Sequence, residues 1–263
     1  MDRSSGEGRL TGETESVDGS VDLVSRSREL EAATFGAVLE DETASRIQWA
    51  TPDGLEIVGY GVAARFTAAG TDRFDRIRTQ ASRLFDGLAH DGPDHARPRA
   101  FGGFSFHDGH EAGPPWTGFD AASFVVPQLF VTRRDGETWV TAVAEHSDAV
   151  ADRLERWHGR LTNQPATRPA DATPGVDTTR RTTSRAAWTE QVDTALERIA
   201  NGQLTKVVLA QSLSVDLERP IDVPATLERL HRRYPNCYRF LVDHDVGGTF
   251  FGAPPERLVS KRG

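Results

Sequence analysis

Apolar and polar positions alternate along several stretches of the chain and change to a helical period along others. "RIQWAT" and "LEIVGYGVAARFTA" are rich in β-branched and aromatic residues and are split by the turn signal "TPDG", so they predict a hairpin. Over residues 71–89, Phe74, Ile77, Ala81, Leu84, Phe85 and Leu88 recur on one helical face. "RAFGGFSFH", "ASFVVPQLFVTR" and "TWVTAVAE" predict three further strands, with Pro127 marking an edge or bulge in the second. A helix is expected over 147–161. Another carries Trp188, Val192, Ala195, Leu196 and Ile199 on one face and stops at Asn201-Gly202. "TKVVLAQSLSVDL" then reads as a strand, 224–233 as a short helix, and "CYRFLVD" with "GTFFG" as a hairpin. Strands grouped before and after helices, without strict alternation, predict an α+β layered fold over a Rossmann sheet.

Composition sets the boundaries between these stretches. Residues 1–28, rich in Gly, Ser, Glu and Asp, predict a disordered tail, and 29–162 an N-terminal α+β region. Residues 163–183 hold three Pro, many Thr and no apolar period, which predicts a linker before a second region at 184–263. With 31 basic against 39 acidic residues, the net charge of −8 argues against nucleic acid or an anionic membrane as the main partner. No apolar run reaches transmembrane length and the acidic N-terminus lacks a signal-peptide pattern, so cytoplasm is the expected location. The lone Cys237 excludes an internal disulfide and a cysteine-only metal cluster.

Most candidate chemistry reads more simply as structure. "FGGFSF" has neither the spacing nor the Lys of a phosphate loop, and its glycines suit close packing within a sheet. His107 and His110 of "HDGH" lack neighbours that would complete a metal set, which leaves a structural or exposed role. Cys237 reads as a small core residue and "RLHRRYP" as a solvated helix face. Lys206 differs. All but two of the 31 cations are Arg, the exceptions being Lys206 and Lys261. Arg stays protonated in proteins, whereas a desolvated Lys can give up its proton and act as a base. On a strand, Lys206, Val208, Ala210, Ser212 and Ser214 share one face, suited to a site floor. Val207, Leu209, Leu213 and Val215 share the other, suited to the core. The alternative is an edge lysine that deters strand pairing. In "FFGAPPERLVS", Pro254 and Pro255 form a stiff tether before Glu256, which reads either as a site carboxyl or as a surface partner of Arg257.

Together, "IANGQLTKVVLAQ" and "FFGAPPERL" resemble the chorismate-utilising enzymes, and most of all the isochorismate synthases. Fifty positions separate Lys206 from Glu256, as they do the family's base and acid. Weaker similarity runs through "FGGFSF", Trp116 and "FVVPQLF", so the likeness covers the chain from about residue 45. The resemblance implies part of the chorismate-binding (anthranilate synthase component I-like) fold, with two packed antiparallel sheets flanked by helices. Gln211 stands where the family has Arg, and Pro254 where it has Ser or Thr. The family's C-terminal portion has no counterpart here.

The resemblance also implies a reaction. Water adds to C2 of chorismate while the C4 hydroxyl leaves, in a step serving menaquinone biosynthesis. Lys206 would be the general base that activates water, and Glu256 the general acid that protonates the leaving hydroxyl. Mg²⁺ is the implied cofactor, with ligands expected beyond residue 263. As the resemblance implies, the ammonia-using sister enzymes carry Gln where Lys206 stands, while salicylate synthases keep the Lys and form the alternative activity. A further alternative is a non-catalytic remnant, or a split subunit that needs a separately encoded C-terminal half.

Overall fold

The computed structural model describes residues 22–31, 35–40, 42, 44–163, 173–244, 247–257 and 259–261. In chain order the elements are β1 (Val24–Leu30), α1 (Gly36–Leu39), β2 (Arg46–Ala50), β3 (Glu56–Tyr60), β4 (Ala64–Ala68), α2 (Arg73–Gly87), β5 (Ala89–Asp91), β6 (Phe101–Phe104), β7 (Ala122–Val126), β8 (Leu129–Arg134), β9 (Glu137–Ala144), α3 (Ser147–Thr162), β10 (Val176–Arg181), α4 (Arg185–Ala200), β11 (Leu213–Leu217), α5 (Val223–Arg233), β12 (Arg239–Asp243) and β13 (Thr249–Gly252). Residues 1–168 and 227–263 form one unit and residues 169–226 a second.

The first unit is built on an eight-stranded sheet in the order β13-β12-β2-β3-β8-β9-β1-β5, beside a three-stranded sheet β4-β7-β6. The α+β architecture matches the expectation, with one amendment. β1 and β5 pair in parallel, so the large sheet is mixed rather than wholly antiparallel. The core between the sheets gathers Ile57, Phe130 and Val143 from one and Phe66, Ala122 and Val126 from the other, closed by Ile77 of α2. α3 inserts Val150, Leu154, Trp157 and Leu161 into the buried interior, and the Trp157 ring lies 5.0 Å from that of Tyr60. In β8 and β9, residues 129–132 and 140–143 are buried on both faces, which explains why "LFVT" and "VTAV" read as continuous rather than alternating apolar runs.

Two long apolar runs read as single strands are each broken where the chain changes sheet. "LEIVGYGVAARFTA" becomes β3 and β4, turning at Gly61, whose φ of 66° is open to glycine at little cost. "ASFVVPQLFVTR" becomes β7 and β8, parting at Pro127-Gln128. β3 pairs with β8 and β4 with β7, so one two-stranded ribbon bends from the large sheet into the small one. Gln128 holds the corner: its N–H donates to the Tyr60 carbonyl (3.1 Å) and its side-chain amide to the Val62 carbonyl (2.9 Å). Pro127 therefore marks a corner, not a bulge inside one strand.

Composition also misplaced some boundaries. Residues 24–28 fall in the expected tail but belong to β1, whose polar sequence is held by its ladder to β9. Residues 176–181 fall in the expected linker but form β10 against β11. Residues 1–21 of the tail and 164–172 of the linker lie outside the described residues. Within "FGGFSF", a Cβ on Gly102 would meet the Ser123 carbonyl oxygen at 2.0 Å, so close strand packing accounts for that glycine.

Candidate active site

Lys206 lies in the 169–226 unit, on the segment that joins α4 to β11. Ser184 opens α4 by accepting the Ala187 N–H at its side-chain oxygen (3.2 Å). At the other end Gly202, with φ of 73°, closes the helix, and Gln203 N–H donates to the Arg198 carbonyl (2.9 Å). The segment is pinned again at Ser212, which donates its N–H to the Thr182 hydroxyl and accepts the Thr182 N–H. Between these anchors residues 205–212 carry no strand, and β11 begins only at Leu213. This corrects the expected strand over "TKVVLAQSLSVDL". A strand exists only where a neighbour supplies its ladder, and among the described residues no strand pairs with 205–211. The face assigned to the core is exposed as well, with Val207, Leu209, Leu213 and Val215 all open. Lys206 itself is exposed among the described residues.

Glu256 lies in the first unit, beyond the β12–β13 hairpin. The hairpin forms as expected, its turn at residues 245–246 lying outside the described residues. Its pairing continues past β13, where the Tyr238 N–H donates to the Pro254 carbonyl (2.9 Å). The Phe240 ring lies over Gly252, where a Cβ would come within 3.0 Å of it. Pro254 and Pro255 then fix the direction of the chain, and Glu256 emerges exposed. Because Lys206 and Glu256 belong to different units, each is positioned by its own surroundings.

The pattern did not show what anchors the hairpin. β12 pairs with β2 through Arg239↔Ala50 to Asp243↔Arg46. At its far end the buried Arg46 guanidinium donates from Nε to Asp243 (2.8 Å), with a second contact from Nη2 and a third to the Leu39 carbonyl. At its near end Arg239, also buried, reaches Glu56 of β3 (3.4 Å) and Glu228 of α5 (3.9 Å). Arg133 approaches the same Glu56 at 3.7 Å. Together these residues form a charged cluster that spans β2, β3, β8, β12 and α5.

The remaining candidates keep structural surroundings. His110 Nε2 is 2.9 Å from the Phe119 carbonyl oxygen, and His107 is exposed beside Asp108 at 3.5 Å. Cys237 is half-buried in the turn before β12. Two of the concavities among the described residues lie in the first unit, neither lined by Glu256. One, of about 210 Å³, lies around Ser25 and His90; the other, of about 500 Å³, lies around Arg99, Arg134 and Glu137. Among the described residues no three His, Cys, Asp or Glu side chains converge as a possible metal site. Among the same residues no helix is long and apolar enough to cross a membrane.

Comparison with known proteins brings these fragments under one family. Residues 11–263 match a family described as chorismate binding enzyme. The chain is similar to the isochorismate synthase MenF of Bacillus subtilis, 29% identical over 260 residues, covering 92% of this chain and 54% of that protein. It is also similar to the salicylate biosynthesis isochorismate synthase of Pseudomonas aeruginosa, 28% identical over 267 residues, covering 97% and 54%. Among solved structures it is similar to MenF, the menaquinone-specific isochorismate synthase of Escherichia coli. That likeness has a TM-score of 0.59 at 22% identity over 90% of this chain and 51% of that one, and it bears on fold alone. The chain spans about half the length of the curated relatives it matches.

Proposed function

The chain belongs to the chorismate-binding enzyme family, and from that premise we propose that it carries the acid–base pair of an isochorismate synthase serving menaquinone biosynthesis. Lys206 takes a proton from water as the water oxygen bonds to C2 of chorismate. The ring double bonds shift, the C4–O bond breaks, and Glu256 protonates the departing hydroxyl. Atoms balance as an isomerisation: one water enters and one leaves. Water is a weak nucleophile and hydroxide a poor leaving group, so both partners are needed, and each contributes about 10²–10⁴-fold. The observation that supports this reading is the family match together with Lys at 206 and Glu at 256 in their two motifs. The similar proteins named as isochorismate synthases agree with it.

As a base, Lys206 must act as the neutral amine, the form that a dry setting favours. The test is product analysis from chorismate and Mg²⁺, using the chain fused to the portion of the Bacillus subtilis relative that it does not match. Isochorismate is the expected product, whereas salicylate alone or anthranilate alone would overturn the assignment.

A further inference from the structure

The stretch "RRDGE", residues 133–137, turns the chain from β8 into β9. Asp135 and Gly136 both take left-handed backbone, with φ of 53° and 88°, as a tight two-residue hairpin turn requires. Arg134 and Glu137 are therefore partners in the strand register. Facing them is a short 3-10 turn, Asp94–Ala96, tied to β9 because the Thr141 hydroxyl donates to the Ala96 carbonyl (2.9 Å). Between that turn and the hairpin lies the concavity of about 500 Å³. Cavities of about 300–1,000 Å³ are the size that holds small molecules.

The charges lining this concavity are unevenly matched. Each carboxylate already has a neighbour of its own. Asp94 lies 4.0 Å from Arg97, and Asp135 lies 3.3 Å from Arg134. Glu137 accepts the Trp139 ring N–H (3.3 Å) and has His95 Nε2 at 3.5 Å. Arg99 has no such neighbour. Its half-buried guanidinium donates to the carbonyls of His95 (3.0 Å) and Arg97 (3.3 Å), and among the described residues no carboxylate oxygen comes within 4.0 Å of it. Burial, and then the charge of Arg134, pull the Arg99 pKa below its ordinary value. Two carbonyl bonds leave several of its five N–H donors unused, and the planar fork they form matches a carboxylate or phosphate oxygen pair.

We infer that the concavity between the Asp94–Ala96 turn and the β8–β9 hairpin binds a small organic oxyanion, with a carboxylate or phosphate group held between Arg99 and Arg134. The carboxylates around the two guanidiniums repel a polyanion, so the ligand carries one such group. Neither Lys206 nor Glu256 lines the concavity, so the site stands or falls apart from the proposed reaction.

NMR of the arginine Nε–H signals in the whole 263-residue chain tests it. Benzoate and inorganic phosphate are added separately, each against chloride at equal ionic strength. With one or both probes the Arg99 and Arg134 signals should shift together and saturate below about 20 mM. Saturation by benzoate alone identifies a carboxylate ligand, by phosphate alone a phosphate monoester, and by both the shared oxyanion chemistry. Arg134 is exposed, so Arg134→Gln should keep the backbone amide spectrum of β8 and β9 outside the turn. In that variant the affinity read from the Arg99 signal should fall about 10–100-fold, the loss expected for one charge-assisted contact. Saturation by neither probe, or the same affinity in Arg134→Gln as in the parent chain, would overturn the inference.

Discussion

Buried charges at single residues decide how firmly the Glu256 hairpin is held. Arg46 and Asp243, with side chains 5% and 14% exposed, sit 197 positions apart in sequence and join β2 to β12. Thr249 adds a hydrogen bond to the other Asp243 oxygen (2.8 Å), tying β13 into the same group. Asp243→Ala leaves the buried Arg46 guanidinium only the exposed Glu42 carboxylate at 3.5 Å and should cost about 3–5 kcal/mol in denaturant unfolding. Replacing both partners with apolar residues of similar volume should cost far less, and equal losses in the two variants would show that the charges are not coupled. At the opposite edge of the sheet, Ser25 Oγ lies 2.9 Å from His90 Nδ1, and burial pushes the His90 pKa below its ordinary 6.5. The unfolded chain then takes up this proton at a higher pH than the folded one. His90 thus contributes full stability above about pH 6.5 and loses it progressively as pH falls toward the lowered value. His90→Gln should flatten that limb in unfolding midpoints measured between about pH 7 and 5; an unchanged limb would assign the dependence elsewhere.

At the scale of elements, the sequence was legible where local pattern and tertiary role agree. α2 and α3 show their stripes, Ile77 in one and Val150, Leu154, Trp157 and Leu161 in the other. The β12–β13 hairpin and the stop at Gly202 follow from residue type alone. What stayed hidden depends on distant partners. β1 is "VSRSREL", too polar to announce itself, and exists because β9, more than 100 positions on, completes its ladder. Residues 205–211 show the converse, a strand-like sequence that forms no strand for want of a pairing strand among the described residues. Of the candidate site, the motifs were legible and the anchoring charges were not, because Arg46 and Asp243, like Glu56 and Arg239, meet only through long-range strand pairing. Gly102 makes a direct check on strand approach. Ala there would drive its Cβ into the Ser123 carbonyl, and since backbone cannot swing aside, Gly102→Ala should lower stability by about 1–3 kcal/mol in thermal or chemical unfolding. A neutral result would mean that β6 and β7 sit further apart.

The molecule divides into a unit with a double-sheet core and one in which, among the described residues, Val223 alone is buried. Lys206 lies in the second and Glu256 in the first. Buried charges fix the hairpin that carries Glu256, while residues 205–211 around Lys206 are exposed. Chorismate turnover by the fused protein in ¹⁸O-labelled water, followed by mass spectrometry for wild type and Lys206→Arg, tests the central claim most directly. One solvent oxygen should enter each isochorismate molecule, and formation should fall about 10²–10⁴-fold in Lys206→Arg. Unlabelled product, or labelled product formed by Lys206→Arg at the wild-type rate, would contradict it.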